Sequence, residues 1–282
     1  MESSYLGKKV FRISPQEGTS CSFCPERGGI IYDLQINGKK LLYLDEKTFQ
    51  DNSQKIHGGI PFLFPIAGKL KNSQTEFNGK TYTMGGHGFA RDYPFTLDKI
   101  DEKETELSFY STPETRALYP FFFEIHLNYY FKNETFIIDQ EYRNLGSHSM
   151  PIHFGFHPYF LLSGTSPLNI SGEGTSCVDY MKNNEAMEVP HKFIPDTADE
   201  TNWIICQARS PFSIKQDGWD YSIQLDFSDN FNYIVMWGLK GKPFFCVEPW
   251  SAFPDAMNTR KDIIWIEPEK AERATISITL TK

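Results

Sequence analysis

The sequence is poor in cysteine, in net positive charge, in long apolar runs and in helical periodicity. Five cysteines among 282 residues is an odd count at low density, which argues against a disulfide framework. Cys21-Ser22-Phe23-Cys24 is a lone CxxC. Structural zinc needs four ligands, and no second pair of this kind is present. A thioredoxin-like role would need a βαβ setting that the pattern does not offer. Cys177, Cys206 and Cys246 read as small buried apolar residues. The 28 Lys+Arg against 36 Asp+Glu give a formal net charge of −8, which disfavours a nucleic-acid partner. No stretch approaches the roughly 18 apolar residues of a membrane-crossing helix. Met1-Glu2-Ser3-Ser4-Tyr5 lacks the basic and apolar regions of a secretory leader. The expectation is a cytoplasmic protein with no membrane partner. A Gly-Lys-Ser/Thr phosphate loop and a Gly-x-Ser-x-Gly elbow are both missing, so nucleotide hydrolysis and serine hydrolysis lack support.

What is abundant is aromatic: 24 Phe, 14 Tyr and 5 Trp. Such residues suit pleated, half-buried surfaces. Phe123, Ile125, Leu127, Tyr129 and Phe131 alternate with Glu124, His126, Asn128, Tyr130 and Lys132, the period of a half-buried strand. Lys132-Asn133-Glu134 can turn into a second strand through Phe136, Ile138, Gln140 and Tyr142. Tyr221, Ile223, Leu225 and Phe227 repeat the pattern, as do Ile276, Ile278 and Leu280. Gly28-Gly29 and Asn37-Gly38 bracket another strand, and Asn-Gly suits a hairpin turn. Turns rather than helical crossovers link these runs, so a parallel α/β sheet is disfavoured. The pattern predicts an all-β fold, a large and mainly antiparallel β-sandwich, with residues 1–282 as a single domain.

Four segments carry chemistry-bearing side chains. His57-Gly58-Gly59-Ile60-Pro61 continues into Phe64-Pro65 and Gly68-Lys69. Its glycines and prolines imply a constrained loop, and packing on the sandwich would by itself explain it. Gly85-Gly86-His87-Gly88-Phe89-Ala90-Arg91 flanks a histidine with glycines, so backbone can approach a ligand closely. His87 offers a hydrogen bond there and Arg91 a cationic fork, although a tight surface turn would look the same.

His153 and His157 lie four apart within Pro151–Phe160. Gly155 and Pro158 oppose a helix, and an extended chain separates the pair by about 13 Å, too far to chelate one ion. The segment instead aims one histidine into an aromatic cleft, while His153 also fits a core position. Glu248, in Cys246-Val247-Glu248-Pro249-Trp250, ends an apolar run. Such a carboxylate either reaches solvent at the strand end or sits in a polar site. Trp250 beside it offers a flat face on which a sugar ring can stack.

Taken in order, these segments resemble the aldose 1-epimerase (galactose mutarotase) superfamily, and especially its mutarotase-like and hexose-6-phosphate epimerase branches. Gly58-Gly59-Ile60-Pro61 with Phe64-Pro65, His87-Gly88-Phe89-Ala90-Arg91, His157-Pro158-Tyr159-Phe160 and Val247-Glu248-Pro249-Trp250 carry the resemblance. The resemblance implies a β-supersandwich with a sugar cleft. It implies interconversion of α and β anomers of an aldohexose, with no cofactor and no metal. It implies Glu248 as general base and His157 as general acid, with His87 and Arg91 binding the sugar. His57 stands where the sugar-phosphate branch would carry arginine, and imidazole cannot make the bidentate phosphate contact. An unphosphorylated aldose is therefore the expected substrate. A hexose 6-phosphate, with Lys69 or Lys71 replacing the arginine, and a sugar-binding protein without turnover are the alternatives. A third acidic contact is expected from Asp217 or Asp220. A carboxylate near 4.3 and an imidazole near 6.5 would supply the base and the acid.

Overall fold

In the computed structural model, which describes Met1 to Lys282, period-two alternation becomes strand. Phe123–Lys132 and Thr135–Asn144 pair antiparallel across the Asn133-Glu134 turn, with Phe131 opposite Phe136. Phe123, Ile125 and Leu127 are wholly buried, while Glu124, His126 and Asn128 on the other face keep solvent contact. That division is what opposite-pointing neighbours on a pleated strand produce. Ala271–Thr281 lies between Thr135–Asn144 and Ser222–Phe227, which brings Ile276 and Ile278 into the same core. Tyr221 falls just outside its expected strand. Asn37 (φ 51°) and Gly38 (φ 74°) join Ile30–Ile36 to Lys39–Lys40, with the left-handed pair of angles that a tight hairpin requires.

These strands belong to a nine-stranded sheet and a five-stranded amino-terminal sheet, alongside an eight-stranded sheet centred on Tyr233–Leu239 and Phe244–Trp250. One continuous core cluster takes Phe23 and Leu34 from the five-stranded sheet, Leu127 and Ile276 from the nine-stranded sheet, and Phe156 and Val247 from the eight-stranded sheet. The fold is the all-β antiparallel sandwich expected. No helix is long and apolar enough to cross a membrane.

The Gly58–Pro65 segment is more than a surface loop. Phe62–Leu63 forms the edge of the eight-stranded sheet, against Gly155–Phe156. Phe62 and Phe64 drive inward, where Phe64 meets Phe123 edge-on at 5.1 Å between ring centroids. This anchors the chain just before Gly68 and Lys69. A short helix, Glu46–Gln50, secures the segment from the other side. Asp45 Oδ1 accepts from the amides of Lys47 (3.0 Å) and Thr48 (3.2 Å), and Thr48 Oγ1 accepts from the amide of His57 (3.0 Å). Asp45→Ala should lower stability by about 1 kcal/mol, read from the denaturant midpoint, because it orphans those amides. An unchanged midpoint would mean the cap is solvent-compensated.

Candidate active site

Strand register assembles the site. Tyr159 pairs with Cys246 and Gly155 with Trp250, so the residue midway on each side, His157 and Glu248, falls directly opposite the other. Facing residues on neighbouring strands put their Cβ atoms about 4.5–5.5 Å apart. Here His157 Nε2 comes within 3.3 Å of Glu248 Oε1. The next strand continues the row: Val235 lies opposite Glu248 and Trp237 opposite Cys246. The strand beyond adds Asn202 opposite Trp237 and Glu200 opposite Leu239. Residues two apart share a face, which places Glu200, Asn202, Val235, Trp237, Glu248 and Trp250 along one cleft wall.

The cleft has a volume of about 300 Å³ and is also lined by Lys55, His57, Lys69, His87, Arg91, His157 and Tyr159. Its size is at the lower end for small-molecule sites. Six residues singled out from the sequence, His57, His87, Arg91, His157, Glu248 and Trp250, line this one cavity.

The carboxylate and imidazole are both nearly sealed, at 1% and 7% exposure. Burial pushes Glu248 well above the ordinary carboxylate value, a rise opposed by the Trp250 hydrogen bond and by Arg91. Burial likewise pushes His157 down to about 3, and the positive charge of Arg91 adds to this. Both effects have one origin, since a low-dielectric site penalises the charged form of each group. Burial thus favours the neutral form of each group. Both shifts run away from the ordinary values of about 4.3 and 6.5 of the free groups, upward for Glu248 and downward for His157.

Further contacts fix the geometry. Trp250 Nε1 donates to Glu248 Oε2 at 3.1 Å. At 5% exposure Trp250 shows little face to a ligand, and the half-buried Trp237 is the better stacking surface. Tyr159 stacks on His157 with centroids 4.6 Å apart and planes 11° from parallel. His87 is clamped to Gly68 in both directions: its amide donates to the Gly68 carbonyl (2.6 Å), and the Gly68 amide donates to its Nδ1 (3.0 Å). Nδ1 thus accepts, which leaves the His87 proton on Nε2. Arg91 donates to the Gly86 carbonyl at 3.0 Å. Arg91 Nε and Asn202 Oδ1 have no protein partner.

Several residues depart from expectation. Asp217 bonds Asn169 and Asp220 pairs with Lys39, so neither reaches the cleft. The second carboxylate there, besides Glu248, is Glu200, which accepts from Trp237 Nε1 at 2.8 Å. Glu200 and Asn202 lie in a polar stretch whose only signal is alternation with Thr201 and Trp203, and that names no partner strand. Of the two lysines weighed, Lys69 lines the cleft, whereas the Lys71 amide is bound to Asp255. Lys55 also reaches the cleft but is paired with Asp92. His153 is wholly buried and packs edge-on against Trp250 at 6.2 Å, outside the cleft lining. Cys246 is more than a core filler: its sulfur joins the donor atoms of His157 and Glu248 in a cluster whose members all lie within 4.8 Å of one another.

Comparison with known proteins concerns the fold and the family. The structure of Slr1438 from Synechocystis superposes with a TM-score of 0.92 at 28% identity, covering 99% of this chain and 98% of that one. A galactose mutarotase related enzyme from Lactobacillus acidophilus gives a TM-score of 0.79 at 19% identity over 97% of each chain, a likeness of fold. Chromosomal protein LacX of Lactococcus lactis is 27% identical over 248 residues, which cover 75% of this chain and 80% of LacX. The sequence profile described as aldose 1-epimerase matches residues 9–279. On that match, over nearly its whole length, the chain belongs to the aldose 1-epimerase family.

Proposed function

We propose that this protein interconverts the α and β anomers of an aldohexose by acid–base ring opening and reclosure. The observation that carries the reading is the contact between Glu248 and His157, 3.3 Å apart in a polar and aromatic cleft. Ring opening removes a proton from the anomeric hydroxyl and delivers one to the ring oxygen. In this reading Glu248 takes the first and His157 supplies the second. Rotation about C1–C2 and reclosure return both protons, so composition and redox state are conserved.

Burial serves this chemistry directly. The penalty that raises Glu248 makes its carboxylate a stronger base, and the penalty that lowers His157 makes its imidazolium a stronger acid. The reactive form is the carboxylate of Glu248 with the imidazolium of His157. An aldose bound against both gives its O1 proton to Glu248 and receives at its ring oxygen the proton of His157. Arg91 Nε and Asn202 Oδ1, unpartnered in the free protein, are suited to sugar hydroxyls. Asn202→Ala should raise KM about tenfold, the loss of one hydrogen bond worth about 1.5 kcal/mol, with a smaller change in kcat.

Anomer exchange of freshly dissolved α-glucose or α-galactose, followed by polarimetry, tests the reading. A wild-type rate equal to buffer, with sugar still bound, would leave a carbohydrate-binding protein instead. A second reading, a hexose 6-phosphate as substrate, is favoured by Lys69, which lines the same cleft as Arg91. Exchange NMR on aldoses and their 6-phosphates separates the two. A 6-phosphate preferred by tenfold or more in kcat/KM, abolished by Lys69→Ala, would establish the second.

A further inference from the structure

Cys246 is a buried thiol that the proposed acid–base chemistry does not use. It is wholly buried in the strand that carries Glu248, two residues away and therefore on the same face. It stands opposite Tyr159 on one side and Trp237 on the other. Its sulfur, a ring nitrogen of His157 and a carboxylate oxygen of Glu248 all lie within 4.8 Å of one another.

We infer that His157, Cys246 and Glu248 form an inhibitory site for a thiophilic divalent cation, Zn²⁺ above all, whose occupancy excludes the sugar. The site is not a cofactor site. The inference rests on the proposed roles of His157 and Glu248 only for its effect on activity.

The geometry suits zinc. Bonds of about 2.0–2.3 Å to N, O and S in a tetrahedron put donor atoms about 3.3–3.8 Å apart. The His157–Glu248 contact, at 3.3 Å, already has that span. The sulfur closes the remainder by about 1 Å, within the reach of a side-chain torsion. Three protein donors with the fourth position open to the cleft is the arrangement of an accessible zinc site rather than a closed structural one. A set of one thiolate, one imidazole and one carboxylate selects zinc, cobalt or cadmium over magnesium and calcium, which want oxygen throughout. Binding needs the thiolate, a free imidazole nitrogen and the carboxylate, so protons on those atoms leave to solvent and the metal charge replaces them. The ion takes Nε2 and the carboxylate from the sugar, so metal and sugar compete.

The test uses the full chain, freed of metal by chelation. Addition of CoCl₂ should produce one equivalent of thiolate-to-cobalt charge-transfer absorption, and ZnCl₂ should displace it. Zinc should inhibit anomer exchange competitively with sugar and reversibly by chelator, while MgCl₂ does neither. Cys246→Ala, and the more nearly isosteric Cys246→Ser should the first fail to fold, should abolish or shift the cobalt band. Each should weaken zinc inhibition by roughly tenfold or more and leave metal-free exchange near wild type. A cobalt band that persists unchanged in Cys246→Ala would place the ion on another thiol and overturn the inference, as would no band at all in the wild type. Absence of exchange in the metal-free wild type would instead defeat the proposed function, and the cobalt band would still decide the site.

Discussion

Glu248→Gln should lower the rate of anomer exchange by about 10²- to 10⁴-fold, and His157→Asn should do the same. Glutamine keeps the volume of Glu248 and an acceptor for Trp250 Nε1, so the fold and the cleft persist. What it loses is the ability to take a proton. Because the two groups pass a single proton through the sugar, the double variant should be little slower than either single one. Near-wild-type exchange in both single variants would remove them from the mechanism.

The pH profile provides an independent check. His157 is held down to about 3 by burial and Arg91, and Glu248 well above its ordinary value by burial. Between those limits the pair keeps one proton. Below about 3 it gains a second and the base is lost. Above the raised value of Glu248 it loses its last proton and the acid is lost. The enzymatic part of kcat/KM should therefore run level through pH 6.5, where an ordinary histidine would titrate. A bell confined between about 4.3 and 6.5 would show two solvated, independent groups instead.

Stability follows the same shift with its own sign. An unfolded Glu248 ionises near 4.3, while the folded one stays neutral to higher pH. The unfolded chain thus gains relative to the folded one as pH rises above about 4. Glu248→Gln removes this term, so its stability advantage over wild type should grow with pH in that window and then level off.

Gly88→Ala should destabilise the fold by about 3–5 kcal/mol. Gly88 has φ +67°, and a Cβ there would sit 2.2 Å from the Phe64 carbonyl oxygen and 2.6 Å from its carbon. That oxygen already accepts from the amides of Phe89 (3.0 Å) and Ala90 (3.1 Å). The obstruction is backbone, so no rotamer change relieves it, and the strand-edge segment must move away from the His87 loop. Gly79→Ala is the control, with φ +74° and nothing within 4 Å of the added carbon. It should cost only the left-handed backbone term, about 1–2 kcal/mol. Equal shifts of the denaturant midpoint in the two variants would show that the contact with Phe64 carries no weight.

The class of fold and most of the residues that line the candidate cleft were legible in local sequence. Alternation in Phe123–Phe131, Phe136–Tyr142 and Ile276–Leu280 is local, because a strand's two faces are set by the chain's own period of two. The glycines and prolines around His57, His87 and His157 likewise mark constrained backbone wherever the chain goes. The tertiary structure decided how these pieces meet. Register put His157 opposite Glu248, and no local pattern fixes which strand lies beside which. The same registry brought in Glu200 and Asn202, excluded Asp217 and Asp220, and turned Trp250 from a stacking face into a partner of Glu248. It also set the burial that shifts Glu248 upward and His157 downward, since desolvation depends on what covers a group and not on its neighbours along the chain.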